Sequence, residues 1–210
     1  LFLIHLEMAV EQQGKVVEFN RRSYCPVLEL PADEEALYAA MSSGWRKKFK
    51  QDVRVAQRDF KLTHQQARGA NVANALDNFF KLYQDKGGRD EQPIKTIILN
   101  LIDKYSEQVP LQLDTLVVDG TDVAALLHFE YHDTLYMYLM AVDKEYNAKV
   151  SFGNILVGMV LINAMKTGCR YYDFLKGTER YKFHWSHSGF RTVTYPFRQR
   201  RFSTVCLSSL

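Results

Sequence analysis

Between Asp143 and Trp185 the chain gathers the residue types that anion binding and acid–base chemistry require. Asp143 and Tyr146 come first, and Ser151-Phe152-Gly153-Asn154 then opens an apolar segment with helical spacing. A small-residue turn into a helix presents backbone N–H groups and the positive end of a dipole, which is equipment for seating a phosphate. Gly153 would let a pyrophosphate come close to the backbone. The alternative for the same four residues is a serine N-cap with a glycine in the first turn. Asp173 follows on an aromatic and aliphatic run, Tyr171 to Leu175. A carboxylate there is costly unless paired or hydrogen-bonded. It is therefore a base or a substrate-orienting group, or else the partner of Arg170, Lys176 or Lys182. Tyr181-Lys182-Phe183-His184-Trp185 adds a phenol, an ammonium and an imidazole. Lys182 suits a phosphate or a carboxylate, and Tyr181 could protonate a leaving thiolate. The alternative is an aromatic plug over a sheet edge, with Lys182 in water. The order as a whole is a layout for an enzyme that holds a phosphate-bearing cofactor.

Other clusters point less sharply. His184 and His187 stand three apart but have no acidic or cysteine partner nearby, so the expectation is no metal. Arg46, Lys47, Lys48, Lys50, Arg54 and Arg58 form a basic run broken by Asp52 and Asp59. Such a run either attracts an anionic polymer or nucleotide phosphate or forms the wet face of a helix whose other side is Trp45, Phe49 and Val53. His128 and Glu130 on a central strand read as structural, unless one faces a cleft. The sequence lacks a Walker loop, a dinucleotide-binding glycine fingerprint, a Gly-x-Ser-x-Gly elbow and a His-Glu-x-x-His helix. Those absences set aside kinase, dinucleotide oxidoreductase, serine hydrolase and zinc peptidase chemistry.

The elements that must position these residues follow from periodicity. Strands are expected at Lys15 to Phe19 and Val27 to Leu30, with a polar turn from Asn20 to Ser23 and a stop at Pro31. Asp33 caps a helix bearing Leu37, Ala40 and Met41, which breaks at Ser42-Ser43-Gly44 and resumes through Trp45, Phe49, Val53 and Ala56. A short strand at Phe60 to Thr63 precedes a helix over Val72 to Tyr83, stopped by Gly87-Gly88, and another over Ile94 to Tyr105. The period then becomes two. Leu111 to Val118, Val123 to Tyr131 and Thr134 to Val142 read as antiparallel strands, joined by Asp119-Gly120 and by His132-Asp133. A helix from Gly153 to about Thr167 ends at Gly168. Strands at Tyr171 to Leu175 and Arg191 to Phe197 close one mixed α/β domain, not a doubly wound sheet.

At 210 residues the chain holds one sizeable domain, and the 13 Phe and 12 Tyr favour a core containing a sheet. A net charge of +3 does not itself argue for nucleic acid. Cys25, Cys169 and Cys206 form no Cys-x-x-Cys pair, which fits a reducing, cytoplasmic setting. No apolar run reaches membrane-spanning length. The start without Met reads as a mid-protein start.

Taken in order, these residues resemble the GNAT-superfamily acetyltransferase domain of the CelD/BcsL type from cellulose biosynthesis, which is similar to the FemAB peptidoglycan transferases. The matching features begin with Pro26-x-Leu28-x-Leu30-Pro31, Trp45-Arg46-Lys47-Lys48 and Asp119-Gly120 leading to Ala124-Ala125. Asp143 and Tyr146 before Ser151-x-Gly153, Gly168-Cys169-Arg170 before Tyr172-Asp173-Phe174, then Gly177 and Tyr181-Lys182-x-x-Trp185 complete the set. The resemblance implies a GNAT-like fold: a central, mostly antiparallel twisted sheet flanked by helices. It also implies acyl transfer, usually from acetyl-CoA or another acyl-CoA, to an amine or sugar-linked acceptor. Ser151, Phe152, Gly153 and Asn154 would then meet the cofactor pyrophosphate, with Lys182 on the cofactor side. Asp143, Tyr146 and Trp185 would stand on the acceptor side, Asp173 would be the base and Tyr181 the acid. The family's common Ser-Pro-Gly is Ser151-Phe152-Gly153 here, and the superfamily's second loop glycine is missing. Relatives often contain two fused halves, so residues 1–25 read as a remnant of a preceding half or a linker strand. Residues 26–200 read as the acyltransferase domain and 201–210 as a tail. FemAB-like aminoacyl transfer from charged tRNA and a non-catalytic binding module are the alternatives.

Overall fold

The computed structural model describes residues 15–17, 21–84, 92–105, 110–143, 145–146, 149–194 and 197–199. Most of the 1–25 segment, the Gly87-Gly88 stop, Cys206 and the 201–210 tail lie outside the described residues. The chain divides into two compact units, 1–24 with 191–210, and 25–190. In the first, β1 (Lys15–Val17) pairs antiparallel with β9 (Phe197–Gln199).

The main sheet comprises β2 (Arg21–Glu29), β3 (Leu62–Arg68), β4 (Leu111–Val118), β5 (Thr121–Tyr131), β6 (Thr134–Val142), β7 (Tyr171–Asp173) and β8 (Ser188–Thr194). Its order is β3-β4-β5-β6-β7-β2-β8. The β3–β4, β4–β5, β5–β6 and β7–β2 ladders are antiparallel, whereas β6 and β7 run parallel. The meander β4–β5–β6 forms where alternation predicts it. Asp119 and Gly120 adopt φ of +50° and +86°, the left-handed pair that a tight two-residue hairpin needs.

Helices cover both faces. Asp33 caps α1 (Glu34–Ala40) by accepting the Ala36 N–H at 2.8 Å. The chain breaks at Met41 and Ser42, at the leading edge of the expected Ser42-Ser43-Gly44 break, and Ser43 and Gly44 already lie in the first turn of α2 (Ser43–Asp59). On one face α3 (Val72–Gln84) and α4 (Gln92–Tyr105) lay Val72, Leu76, Phe79, Ile98 and Ile102 over Leu111, Leu113, Ala125, Leu127 and Ala141. The other face is covered by α5 (Phe152–Lys166), whose apolar residues ring the whole helix because it is buried all round. Below it lie Leu116, Leu126, Leu135 and Tyr172, and α2 closes over it. At Gly158 a Cβ would come within 2.5 Å of the Phe49 ring. That glycine admits the Phe49 and Trp185 rings, which meet edge-on at 5.1 Å. Among the described residues no helix is long and apolar enough to cross a membrane.

The structure corrects four expectations about element bounds. β3 continues to Arg68 through His64-Gln65-Gln66, because full pairing with β4 outweighs polar composition on an edge strand. β2 begins at Arg21, inside the expected polar turn. β7 ends at Asp173, since Leu175 turns to φ +53°. The last expected strand is two, β8 beginning at Ser188 and β9 at Phe197.

Candidate active site

The sheet opens between β6 and β7. Their ladder has three rungs, Thr134, Leu135 and Tyr136 against Tyr171, Tyr172 and Asp173. Beyond these β6 runs on to Val142 along β5, while the chain after Asp173 follows β2, the Phe174 N–H bonding Pro26 O at 3.0 Å. The two strands therefore part in a V. At its apex β6 carries a bulge: His128 pairs with Met137 and Leu127 with Leu139, which leaves Tyr138 as the extra residue. A bulge unpairs a backbone rung and re-aims it. A cavity of about 260 Å³ occupies the opening, lined among others by Tyr83, Tyr138, Met140, Phe174, Glu179 and Tyr181. Tyr138 was not singled out from the sequence, because a bulge is defined by the partner strand.

The turn after β7 forms the opposite wall. Asp173 is buried, and its Oδ1 accepts the Leu175 N–H at 2.7 Å, holding Leu175 in its left-handed conformation. Burial raises the Asp173 carboxyl above the ordinary carboxylate range, against the opposing pull of the Leu175 hydrogen bond and the Lys182 charge. Gly177 adopts φ +139°, where a Cβ would strike the Glu179 carboxylate. Lys182 is buried instead of solvated. Its Nζ donates to Lys176 O at 3.1 Å and meets Glu179 Oε2 at 3.0 Å. Burial, reinforced by Glu179, raises the Tyr181 phenol well above its ordinary value. At neutral pH Tyr181 therefore stands on the cavity wall as a neutral phenol.

The start of α5 lies outside the lining of that cavity, and both Phe152 and Gly153 are buried there. Helix geometry leaves the Gly153 and Asn154 N–H groups without intrahelical acceptors, while Ile155 N–H already bonds Ser151 O at 3.0 Å. Phe152 is buried beneath this corner, edge-on to Phe60 and Tyr146. A Cβ on Gly153 would stand 2.7 Å from Val142 Cγ2, so the glycine lets the helix start pack against the end of β6. Asn154 donates to Ser151 Oγ at 2.7 Å and accepts the Trp185 indole N–H at 3.3 Å. Trp185 is buried among Phe49 and Trp45. Asp143 Oδ1 accepts the N–H groups of Glu145 and Tyr146, and the Tyr146 hydroxyl donates to Val118 O. Asp143, Tyr146 and Trp185 thus shape the loop and the helix start, whereas Tyr138, Tyr181 and Lys182 line the cavity.

Sequence reasoning also missed a polar band beneath α5. Asp114, fully buried on β4, accepts from Gln112 at 2.6 Å and Gln66 at 3.0 Å, and bonds His64 Nε2 at 2.8 Å. His128, fully buried on β5, bonds the Tyr172 hydroxyl through Nε2 at 2.8 Å. Its Nδ1 stands 3.4 Å from Asp114 Oδ2, at ion-pair reach without closing a hydrogen bond. The available signal was the near-continuous apolar run on each side of them, since β4 and β5 are buried on both faces and a polar residue there needs a partner. Burial alone would raise the Asp114 carboxyl, but the approach of His128 and the bonds from His64 and Gln112 outweigh it and hold it well below the usual range. A depressed folded value stabilises the protein fully above the unfolded carboxylate pKa of about 4 and loses that contribution as pH falls towards the folded value. The thermal midpoint is expected to drop as pH is lowered through about 4 towards 2, and Asp114→Asn to flatten that slope. An identical slope in the variant contradicts the assignment.

The basic run on α2 is mostly exposed, but it is not uniformly solvated. Asp52 is buried and pairs with Lys48, Arg58 pairs with Asp59, and Lys50 lies 4.6 Å over the Tyr38 ring.

A parted parallel strand pair, with a helix start beside one strand and a turn bearing a buried carboxyl and a neutral phenol after the other, leaves room for an extended ligand. Comparison with known proteins bears on the family and the fold. The sequence pattern of the acetyltransferase (GNAT) domain matches residues 43–183. No curated protein matches. Among solved structures, the chain is similar to a conserved protein of unknown function from Bacteroides thetaiotaomicron, with a TM-score of 0.56, 11% identity, and coverage of 92% of this chain and 66% of that one. It is similar to the C-terminal domain of a protein described as a lysylphosphatidylglycerol synthetase from Agrobacterium fabrum, with a TM-score of 0.54, 11% identity and coverage of 93% and 65%. FemX gives a TM-score of 0.53 at 9% identity, with coverage of 88% and 65%. The chain thus spans about two thirds of the length of these solved chains, and at such identities the likeness is one of fold. With the domain pattern covering most of its length and the parted sheet in place, the chain belongs to the acetyltransferase (GNAT) domain family.

Proposed function

We propose that the chain is an N-acyltransferase that uses acetyl-CoA or another acyl-CoA and transfers the acyl group directly to an amine acceptor. The observation that supports this most is the bulge at Tyr138 where β6 leaves β7. A backbone N–H re-aimed there is placed to polarise a thioester carbonyl lying in the V, and such preorganised donors supply a large share of transition-state stabilisation. The cofactor diphosphate would take the first-turn amides of Gly153 and Asn154, with Ser151 and Phe152 framing the turn. Lys182 serves the cofactor side by fixing the Glu179 turn. Asp173, or a water it holds, takes the proton of the attacking amine, and Tyr181 gives its proton to the departing thiolate. Asp143, Tyr146 and Trp185 support the acceptor side through the loop and helix start that they brace.

The CelD/BcsL resemblance makes a sugar-linked acceptor in cell-envelope polysaccharide synthesis, handled in the cytoplasm, the setting we favour. A second half upstream of residue 26 would complete the acceptor pocket of the 26–200 domain. A second reading, aminoacyl transfer from charged tRNA in the FemAB manner, draws on the exposed basic residues of α2 and the fold shared with FemX.

Thiol release from acetyl-CoA tests the choice. We expect release that depends on an added amine, including amino sugars. If acetyl-CoA is neither bound nor cleaved while charged tRNA binds with a steep salt dependence, the second reading replaces the first.

A further inference from the structure

We propose that His128 and Tyr172, backed by Asp114, form a strap that sets how far β6 and β7 part; both are then positioning residues for the cleft, an inference that rests on the acyl-CoA reading above. His128 stands on β5 and Tyr172 on β7, so their 2.8 Å hydrogen bond spans the strand between them. The rungs are specific. His128 pairs with Met137, next to the bulge at Tyr138, and Tyr172 pairs with Leu135, one rung before the β6–β7 ladder ends. The bond therefore closes over the sheet where the sheet begins to open.

A polar strap at this place has a physical purpose. Packed aliphatic side chains would cover the same positions without burying a carboxylate and an imidazole, and buried polar groups of this kind are often less stabilising than apolar replacements. A hydrogen bond, unlike an apolar contact, fixes a distance and a direction. Asp114 Oδ2 stands 3.4 Å behind the imidazole Nδ1 without closing a hydrogen bond, and it is itself fixed by His64, Gln66 and Gln112, so the ring backs onto an immobile carboxylate. At the other end the Tyr172 ring packs edge-on against Phe174 with centroids 4.8 Å apart. Phe174 lines the cavity. A shift of Tyr172 thus passes directly to the cleft wall.

The test uses Tyr172→Phe, His128→Leu and His128→Gln, studied well below their melting transitions by acetyl-CoA calorimetry and by amide hydrogen exchange. Tyr172→Phe and His128→Leu are expected to weaken acetyl-CoA binding about tenfold. Exchange at the Tyr172 and Asp173 amides should quicken by about tenfold, while the β4–β5 amides keep wild-type rates. His128→Gln, which retains an acceptor for the Tyr172 hydroxyl, should recover most of the affinity. A Tyr172→Phe protein with wild-type affinity and wild-type exchange at those amides overturns the strap. If His128→Leu does not fold, Tyr172→Phe decides alone, since it loses a single oxygen atom. A wild type that binds no acetyl-CoA removes the acyl-CoA reading, and the exchange rates in Tyr172→Phe then still decide the strap.

Discussion

Tyr181→Phe is expected to lower kcat for acyl transfer by about 10²-fold or more while acyl-CoA affinity stays within about twofold. The ring, which packs against the core beside α5, is kept, and only the hydroxyl is lost. Tyr181 stands on the cavity wall, and burial and Glu179 keep its phenol neutral, so the hydroxyl is present to meet the negative charge that develops on sulfur as the thioester breaks. The thiolate freed from a thioester is the group that needs that hydroxyl, and the loss should fall on kcat alone. Asp173→Asn is expected to give a comparable loss. The Asn side chain can still accept the Leu175 N–H through its amide oxygen, so the turn geometry survives while basicity is removed. Steady-state kinetics with acetyl-CoA and an active amine check both variants, and unchanged turnover in both removes the roles assigned to these side chains.

Gly153→Val is expected to weaken acyl-CoA binding by at least about tenfold and to cost about 1–3 kcal/mol of stability, the usual penalty of overpacking a tight site. The position of a Cβ there, 2.7 Å from a methyl of Val142, leaves no room unless the end of β6 and the start of α5 separate. Val142 is branched at Cβ and cannot swing aside cheaply. Separation would carry the Gly153 and Asn154 amides away from the V, so affinity should fall more than stability alone explains. Gly44→Ala is the control, since a Cβ at Gly44 meets nothing within 4 Å. Calorimetry and thermal melting of the two variants separate a lost diphosphate seat from general destabilisation. Wild-type affinity in Gly153→Val would remove this corner from the binding site.

How much of this was legible in the sequence depended on whether the signal was local. The meander β4–β5–β6 was readable because alternation and the Asp119-Gly120 turn act within a few residues. The bounds of α5 were readable from Gly153 near one end and Gly168, at φ +89°, beyond the other. The parting of β6 from β7 followed only from the family resemblance. What failed was non-local. β3 is an edge strand whose His64, Gln65 and Gln66 look like loop until β4 pairs with them. The bulge at Tyr138 exists only relative to β5. His128 looked structural and Asp114 drew no notice, because the hydrogen bond that gives them meaning reaches across 44 residues to Tyr172. Lys182 was expected in solvent or on a phosphate or a carboxylate; it meets the Glu179 carboxylate, and only its burial by the folded-back turn was not legible.

The most direct test of the acyl-CoA cleft is amide hydrogen exchange of the wild-type protein with and without saturating acetyl-CoA. The account predicts slowed exchange in two places: at Tyr138, Leu139 and Met140 along the free edge of β6, and at Gly153 and Asn154 at the start of α5. Unchanged exchange at both, or protection confined to α3 and α4 on the opposite face, would contradict it.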